Sequence, residues 1–292
     1  MGDLHAMLET SLGPLYRVER EVRPVGDCRM FIAEELAPPG AELAVKVLPA
    51  TLSLAVDPLL FERELVLTAD RLSGTKLVTP RNAGRAGSWV YHTRRFVAGT
   101  TLRAWITRNG ELPLRQAVEI LRDILTDLAA VHSAKLVHGD LKPEQVLIGN
   151  GRTLLADTGV VDAVERALQG AARGAATAAI CFAPYLAPER RDRDAPAAHN
   201  GPPADMFAVG VVLHEMLTGK TPAPESEPLE EVRSLPPWLA ALVRRCLAPE
   251  PEDRWDDAGA ALATMPRLTG GLPRDGDGGN GGSGTGKRRP LE

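Results

Sequence analysis

The sequence predicts an α+β chain folded as two lobes, a small β-rich lobe with one main helix and a larger, mainly helical lobe. Three observations carry this. The first hundred residues set short β-like runs around a single helical stretch, and past Ala98-Gly99 the pattern changes to long helices. The length, 292 residues, also suits two lobes at roughly 150 residues per domain.

Taken in order, Tyr16 to Val22, Cys28 to Glu34 and Glu42 to Leu48 read as strands, separated by the breakers Pro24-Val25-Gly26-Asp27 and Pro38-Pro39-Gly40. Asp57 to Leu72 reads as a helix, with Leu60, Phe61, Leu65 and Thr68 or Ala69 on one face. Leu77 to Asn82 and Trp89 to Phe96 complete a β-β-β-α-β-β order. In the second lobe, Leu114 to Ser133 aligns Ala117, Ile120, Leu121, Ile124, Leu128 and Val131. Asp205 to Leu217 is apolar enough to be a buried helix, and Pro237 to Cys246 and Asp256 to Met265 are two more. Val146 to Ile148 and Thr153 to Ala156 are short strands. The expected organisation is a lead at 1–13, a small lobe at 14–97, a helical lobe at 98–268 and a tail at 269–292. Nine glycines without apolar periodicity mark that tail as disordered.

Composition narrows the function. The chain is 44% hydrophobic and 25% charged, as soluble globular proteins are, and its net charge of −4 does not suggest a nucleic-acid partner. Cys28, Cys181 and Cys246 lie far apart, which argues against a disulfide scaffold or a structural zinc site. No run of 18 apolar residues exists, and the start lacks a basic-then-apolar signal, so a cytoplasmic location without a membrane span is expected. Only six of the 34 basic residues are lysines, and the Arg, Ala and Gly bias suggests a bacterial source.

The chemistry concentrates in motifs at ordered spacing. Ala44-Val45-Lys46 sits on the third strand, and Glu64 lies mid-helix. His138-Gly139-Asp140-Leu141-Lys142-Pro143-Glu144-Gln145 precedes a short strand, Asp157-Thr158-Gly159 ends the next one, and Ala187-Pro188-Glu189 follows. Together these resemble the protein kinase family, the bacterial Ser/Thr kinases in particular, from about Tyr16 to Leu268. Phosphoryl transfer spreads charge over phosphate oxygens, so its site needs positioned cations and a carboxylate near the nucleophile. The resemblance implies that Lys46 binds the α and β phosphates of ATP, held by an ion pair with Glu64. It implies that Asp140 orients the acceptor hydroxyl, that Lys142 steadies the γ phosphate, and that Asp157 holds Mg²⁺ with Gln145 at the second metal position. It also implies that Asp205 holds the catalytic-loop backbone and that Glu189 and Arg254 form a buried ion pair.

Several positions depart from the family. Arg23, Val25 and Cys28 stand at the three loop-glycine positions and leave only Gly26, so fewer bare amides can approach the phosphates. Gln145 replaces an Asn, and Thr158 and Thr68 replace apolar residues and could bond each other. Arg94 and Arg95 fall at the gatekeeper and the first hinge position, where a buried arginine is costly unless paired. Gly139 replaces an arginine that grips a phosphorylated loop, and Thr177 is the only aliphatic hydroxyl between Gly159 and Ala187, so a phosphorylation-driven switch is not expected. The resulting reading is an ATP- and Mg²⁺-dependent Ser/Thr protein kinase acting on a protein substrate, and the alternative is a pseudokinase serving as a binding module. A small-molecule phosphotransferase also begins His-Gly-Asp, but Ala187-Pro188-Glu189, Asp205 and Arg254 speak against it. Thr218-Gly219-Lys220-Thr221 lacks the rest of a phosphate loop.

Overall fold

Strand alternation in the first hundred residues yields a five-stranded antiparallel sheet: β1 (Tyr16–Val25), β2 (Cys28–Leu36), β3 (Pro39–Val47), β4 (Pro80–Ala86) and β5 (Trp89–Arg95), in the order β1-β2-β3-β5-β4. The computed structural model describes residues 3–266 apart from 26–27, 37–38, 150, 169–173, 192–200, 224–228 and 230–233. Gly26 and the Gly-rich tail therefore lie outside the described residues. One sheet face buries Val18, Phe31, Ala33, Val45 and Val47 beneath Leu4 and Leu8 of an N-terminal helix, α1 (Leu4–Leu12). The sequence reading placed no element there. Asp3 caps α1 by accepting from the His5 amide.

On the opposite side, α2 (Ala50–Ala55) leads into α3 (Pro58–Arg71). Asp57 caps α3 through the amides of Leu59 and Leu60, and Pro58 sits at the first helical position, where its missing N–H costs nothing. β4 begins at Pro80 and not at Leu77. Val78 instead makes an isolated parallel bridge to Ala156, tying the small lobe to the segment just before Asp157.

The second lobe opens with a two-residue strand, β6 (Thr100–Thr101), which joins β7 (Val146–Gly149) and β8 (Arg152–Leu155) in a small sheet. Around it lie α4 (Leu102–Asn109), α5 (Leu114–Ser133), α6 (Val160–Ala167), α7 (Ala175–Ile180), α8 (Pro188–Arg191), α9 (Pro202–Thr218), α10 (Pro237–Cys246) and α11 (Ala258–Thr264). The bounds of α5 and α10 coincide with their apolar periodicity. α9 starts three residues before Asp205 and is buried all round from Ala204 to Leu217, so it forms the axis of the helical core.

α6 is the main surprise. Val160, Val161, Val164 and Ala167 form a buried stripe packed with Phe61 and Leu65 of α3 and with Leu48, Leu52 and Val90. Gly159 at its start adopts φ +74, and a Cβ there would meet Thr68 at 3.0 Å. The spacing 160, 161, 164, 167 is that of a helix face, but the sequence reading placed no element there.

Arg254 is fully buried and forms a two-pronged pair with Glu189, with both N–O distances 2.8 Å. It also donates to the carbonyls of Ala248, Pro203 and Pro249 and stacks over Phe207. The expected architectural ion pair is present.

Candidate active site

The chain around His138 is held from below by α9. Asp205 accepts from the amides of His138 (2.6 Å) and Gly139 (3.0 Å) and faces His132 Nε2 at 3.2 Å. Burial alone would raise its pKa, but these donors and the neighbouring His132 and His138 lower it, so it stays ionised. Gly139 adopts φ +82, a conformation that strains a residue bearing a side chain. The amide of Asp140 donates to His138 Nδ1 (3.3 Å), which leaves Nε2 to donate to Ala156 O (3.1 Å). The turn is thereby fixed against the strand leading to Asp157. A network the sequence reading missed reinforces it. Arg103 on α4 joins Glu144 (2.7 Å) to Glu215 of α9 (2.5 Å), with Tyr185 hydroxyl completing the group.

Asp140, Lys142 and Gln145 form one cluster. Lys142 Nζ lies 2.9 and 2.7 Å from the two Asp140 oxygens and also donates to Ile180 O. Burial opposes its charge, but Asp140 more than compensates and raises its pKa. Gln145 donates its amide Nε2 to Asp140 Oδ2 at 3.3 Å, leaving its amide oxygen free of that contact.

Asp157, 2% exposed and at φ +61, is the centre of a second cluster. Lys46 Nζ donates to its Oδ2 at 2.7 Å. Arg94 Nε lies 3.1 Å from its Oδ1, close enough for charge pairing but misaligned for a hydrogen bond. Burial would raise the Asp157 pKa, but Lys46 and Arg94 drive it well below the usual carboxylate range. The arginine that sequence reading found costly is thus paired.

The expected Lys46–Glu64 ion pair is absent. Glu64 faces Arg166 of α6 at 3.4 Å, while Lys46 turns to Asp157. The physical reason is the packing of α6 on α3. Each buried valine of the stripe contributes about 1.5–3 kcal/mol, and the Lys46 charge still finds a carboxylate in Asp157, so the apolar stripe decides where the two helices sit. Thr68 and Thr158 do not bond each other either. Thr68 donates to Glu64 O, and the buried Thr158 hydroxyl has no partner.

Between the two clusters lies a narrow cavity of about 10 Å³ lined by Cys28, Lys46, Asp140, Gln145 and Asp157, among others. The structure thus brings Lys46, Asp140, Lys142, Gln145 and Asp157 together at one cleft, while Glu64 is not among the residues that line it. Cys28, at the third loop-glycine position, buries its thiol against this cavity, and burial raises its pKa.

A model of the protein kinase domain family matches residues 38–263. The chain belongs to the protein kinase family. Among similar curated proteins, PknL of Mycobacterium tuberculosis, a serine/threonine-protein kinase, is 34% identical over 212 residues, covering 67% of this chain and 51% of that protein. PknB of Mycobacterium leprae, also a serine/threonine-protein kinase, is 32% identical over 256 residues, covering 80% of this chain and 39% of that one. The chain thus spans about half the length of PknL and less of PknB. The crystal structure of the M. tuberculosis PknI kinase domain superposes with a TM-score of 0.63 at 21% identity, covering 86% of this chain and 95% of that chain. Rad53 in complex with AMP-PNP gives a TM-score of 0.66 at 20% identity, covering 88% and 66%. These likenesses establish the bilobed kinase fold.

Within that fold, Arg190 is a site residue the sequence reading missed. Its Nη1 donates to Gly139 O at 2.7 Å, and its Nη2 lies 3.5 Å from Thr177 Oγ1. Gly139 supplies no side chain to the loop hydroxyl, yet a guanidinium stands beside Thr177. Glu165 on α6 accepts from the amides of Gly174, Ala176 and Thr177 and so caps α7.

His92 on β5 gives this kinase fold a testable acid sensitivity. It is fully buried against Phe61 with Nδ1 unpartnered, and burial, aided by Lys46 and Arg94 against the opposing pull of Asp157, lowers its pKa to about 4. The unfolded chain therefore binds a proton near pH 6.5 that the folded chain refuses until about pH 4, so stability falls as pH drops through that window. The loss by pH 5 is about 2 kcal/mol. Melting temperatures at pH 7 and pH 5 should therefore differ less in His92→Leu than in the wild type, and an equal drop in both would remove His92 as the cause.

Proposed function

We propose that the chain is an ATP-dependent Ser/Thr protein kinase that transfers the γ-phosphoryl group to a protein hydroxyl. The observation that carries this reading is the convergence of Lys46, Asp140, Lys142 and Asp157 on one cleft, between a sheet and a backbone fixed by Asp205. In this reading Asp140 accepts a hydrogen bond from the acceptor hydroxyl and takes its proton as the oxygen attacks. Lys46 and Lys142 supply cationic charge to the phosphates. Residues 14–97 and 98–268 are the two lobes, and the partner is a soluble protein substrate in the cytoplasm. Similarity to PknL and PknB supports the choice of Ser/Thr substrates, and the AMP-PNP complex of Rad53 supports an adenine nucleotide as the ligand.

The residues present fit a hard divalent cation such as Mg²⁺. Asp157 Oδ1 is a buried carboxylate oxygen that makes no hydrogen bond, although Arg94 Nε faces it at 3.1 Å, and Gln145, with its amide oxygen, lines the same cavity. Asp157 and Gln145 would hold the ion, which would neutralise charge on the β and γ phosphates when bound.

Binding and transfer test the reading in turn. Mg-ATP should raise the melting temperature, and labelled γ-phosphate should appear on protein. Binding without transfer would favour a pseudokinase, the reading that the sparse glycine loop motivates. Gln145→Asn, which restores the shorter amide, should lower the Mg²⁺ concentration needed for half-maximal turnover severalfold. An unchanged Mg²⁺ dependence would mean that position 145 contacts no metal.

A further inference from the structure

Arg94 is the one buried guanidinium among the described residues that faces the carboxylate expected to receive the metal ion. Its side chain is 7% exposed, and its Nε stands 3.1 Å from Asp157 Oδ1 while Lys46 occupies Oδ2 at 2.7 Å. Each Asp157 oxygen is therefore met by a cation belonging to the chain. The two contacts are not equivalent. Lys46 makes an aligned hydrogen bond, whereas Arg94 Nε and Asp157 Oδ1 both remain without one. The other Arg94 bond runs from Nη1 to Arg95 O at 3.3 Å, so the guanidinium is tethered to the strand end. It sits on β5 opposite Ala44, where the main chain is fixed by the β3–β5 ladder.

We propose that Arg94 is a positioning residue that acts as a resident counter-cation for Asp157 and competes with the divalent ion for Oδ1. The inference rests on the reading of Asp157 as the metal-side carboxylate. Coulomb's law gives its direction. A divalent ion arriving at Oδ1 meets a fixed positive charge about 3 Å from that same oxygen, and in a partly dehydrated site such a charge weakens binding of another cation. An opposite charge beside a carboxylate typically shifts its proton affinity ten- to a thousandfold, and a competing ion should feel an effect of similar size. Arg94 and Lys46 together hold the Asp157 carboxylate in place when no ion is bound, so removing Arg94 leaves Oδ1 without a charge partner until metal arrives.

The probe is Mn²⁺ alone, titrated into the full chain without nucleotide, with free ion read by electron paramagnetic resonance. Arg94→Met should bind Mn²⁺ at least tenfold more tightly than the wild type, and adding Asp157→Asn to that variant should abolish the gain. Arg94→Lys, which keeps the charge, should stay within about threefold of the wild type. Arg94→Gln gives the same reading if the Met variant fails to fold. Equal Mn²⁺ affinity in the wild type and the neutral variants would overturn the proposal, as would a gain that survives Asp157→Asn. Because the ion alone is the probe, a failure of ATP to bind would count against the kinase reading and not against this one.

Discussion

Replacing Asp140 by Asn should lower phosphoryl transfer by a thousandfold or more, which corresponds to about 4 kcal/mol of transition-state stabilisation. The amide retains an oxygen for Lys142 but cannot take the proton of the acceptor hydroxyl. Nucleotide affinity should stay within a few fold, because in this reading Lys46 and Asp157, and not Asp140, meet the phosphates and their metal ion. The melting temperature should fall, because the buried Lys142 loses the charge of its partner, so rates are compared at a temperature where both proteins are folded. Lys46→Met should cost a similar factor in rate by a different route, the loss of positioned charge on the phosphates. Steady-state kinetics on both variants beside the wild type checks this. Wild-type rates in Asp140→Asn would remove it from the reaction.

Arg254→Met should cost about 3–5 kcal/mol of stability without touching the cleft. Arg254 is fully buried, so its loss leaves Glu189 charged and unpaired in a low-dielectric surrounding, together with three carbonyls that lose their donors. In a chain of this size the melting temperature should fall by roughly 10 °C. Glu189→Leu in the same background should recover part of the loss, since replacing both partners removes the stranded charge. Thermal unfolding of the single and double variants measures this. Additive losses would show that the pair contributes only packing.

Much of the fold was legible because long amphipathic elements announce themselves. The ends of Leu114–Ser133 and Pro237–Cys246 follow directly from helical spacing, and four of the five strands of the small lobe follow from apolar runs between breakers, the fourth strand being shifted from Leu77–Asn82 to Pro80–Ala86. Short helices were not legible. α6 and α7 are too short to be stable alone, and they exist because Val160, Val161 and Val164 are buried against α3 and Glu165 caps the next turn. The site divides in the same way. The residue types at Lys46, Asp140, Lys142 and Asp157 declare their chemistry, and the structure brings them to one cleft. Their partners do not declare themselves. Glu64 was expected to hold Lys46, yet its carboxylate goes to Arg166, because burial of the α6 stripe decides where the helices sit and Lys46 finds a carboxylate in Asp157. Arg94 was recognised as costly unless paired. That its partner is Asp157 depends on how the sheet sits over the segment just before Asp157, a relation set by tertiary packing.

The most direct measurement of the central claim is mass spectrometry of purified chain and an added protein acceptor after incubation with γ-labelled ATP and Mg²⁺ or Mn²⁺. The kinase reading predicts phosphoserine or phosphothreonine carrying the label in the wild-type reaction and none with Asp140→Asn. Wild-type protein that binds ATP yet leaves every hydroxyl unlabelled would contradict it.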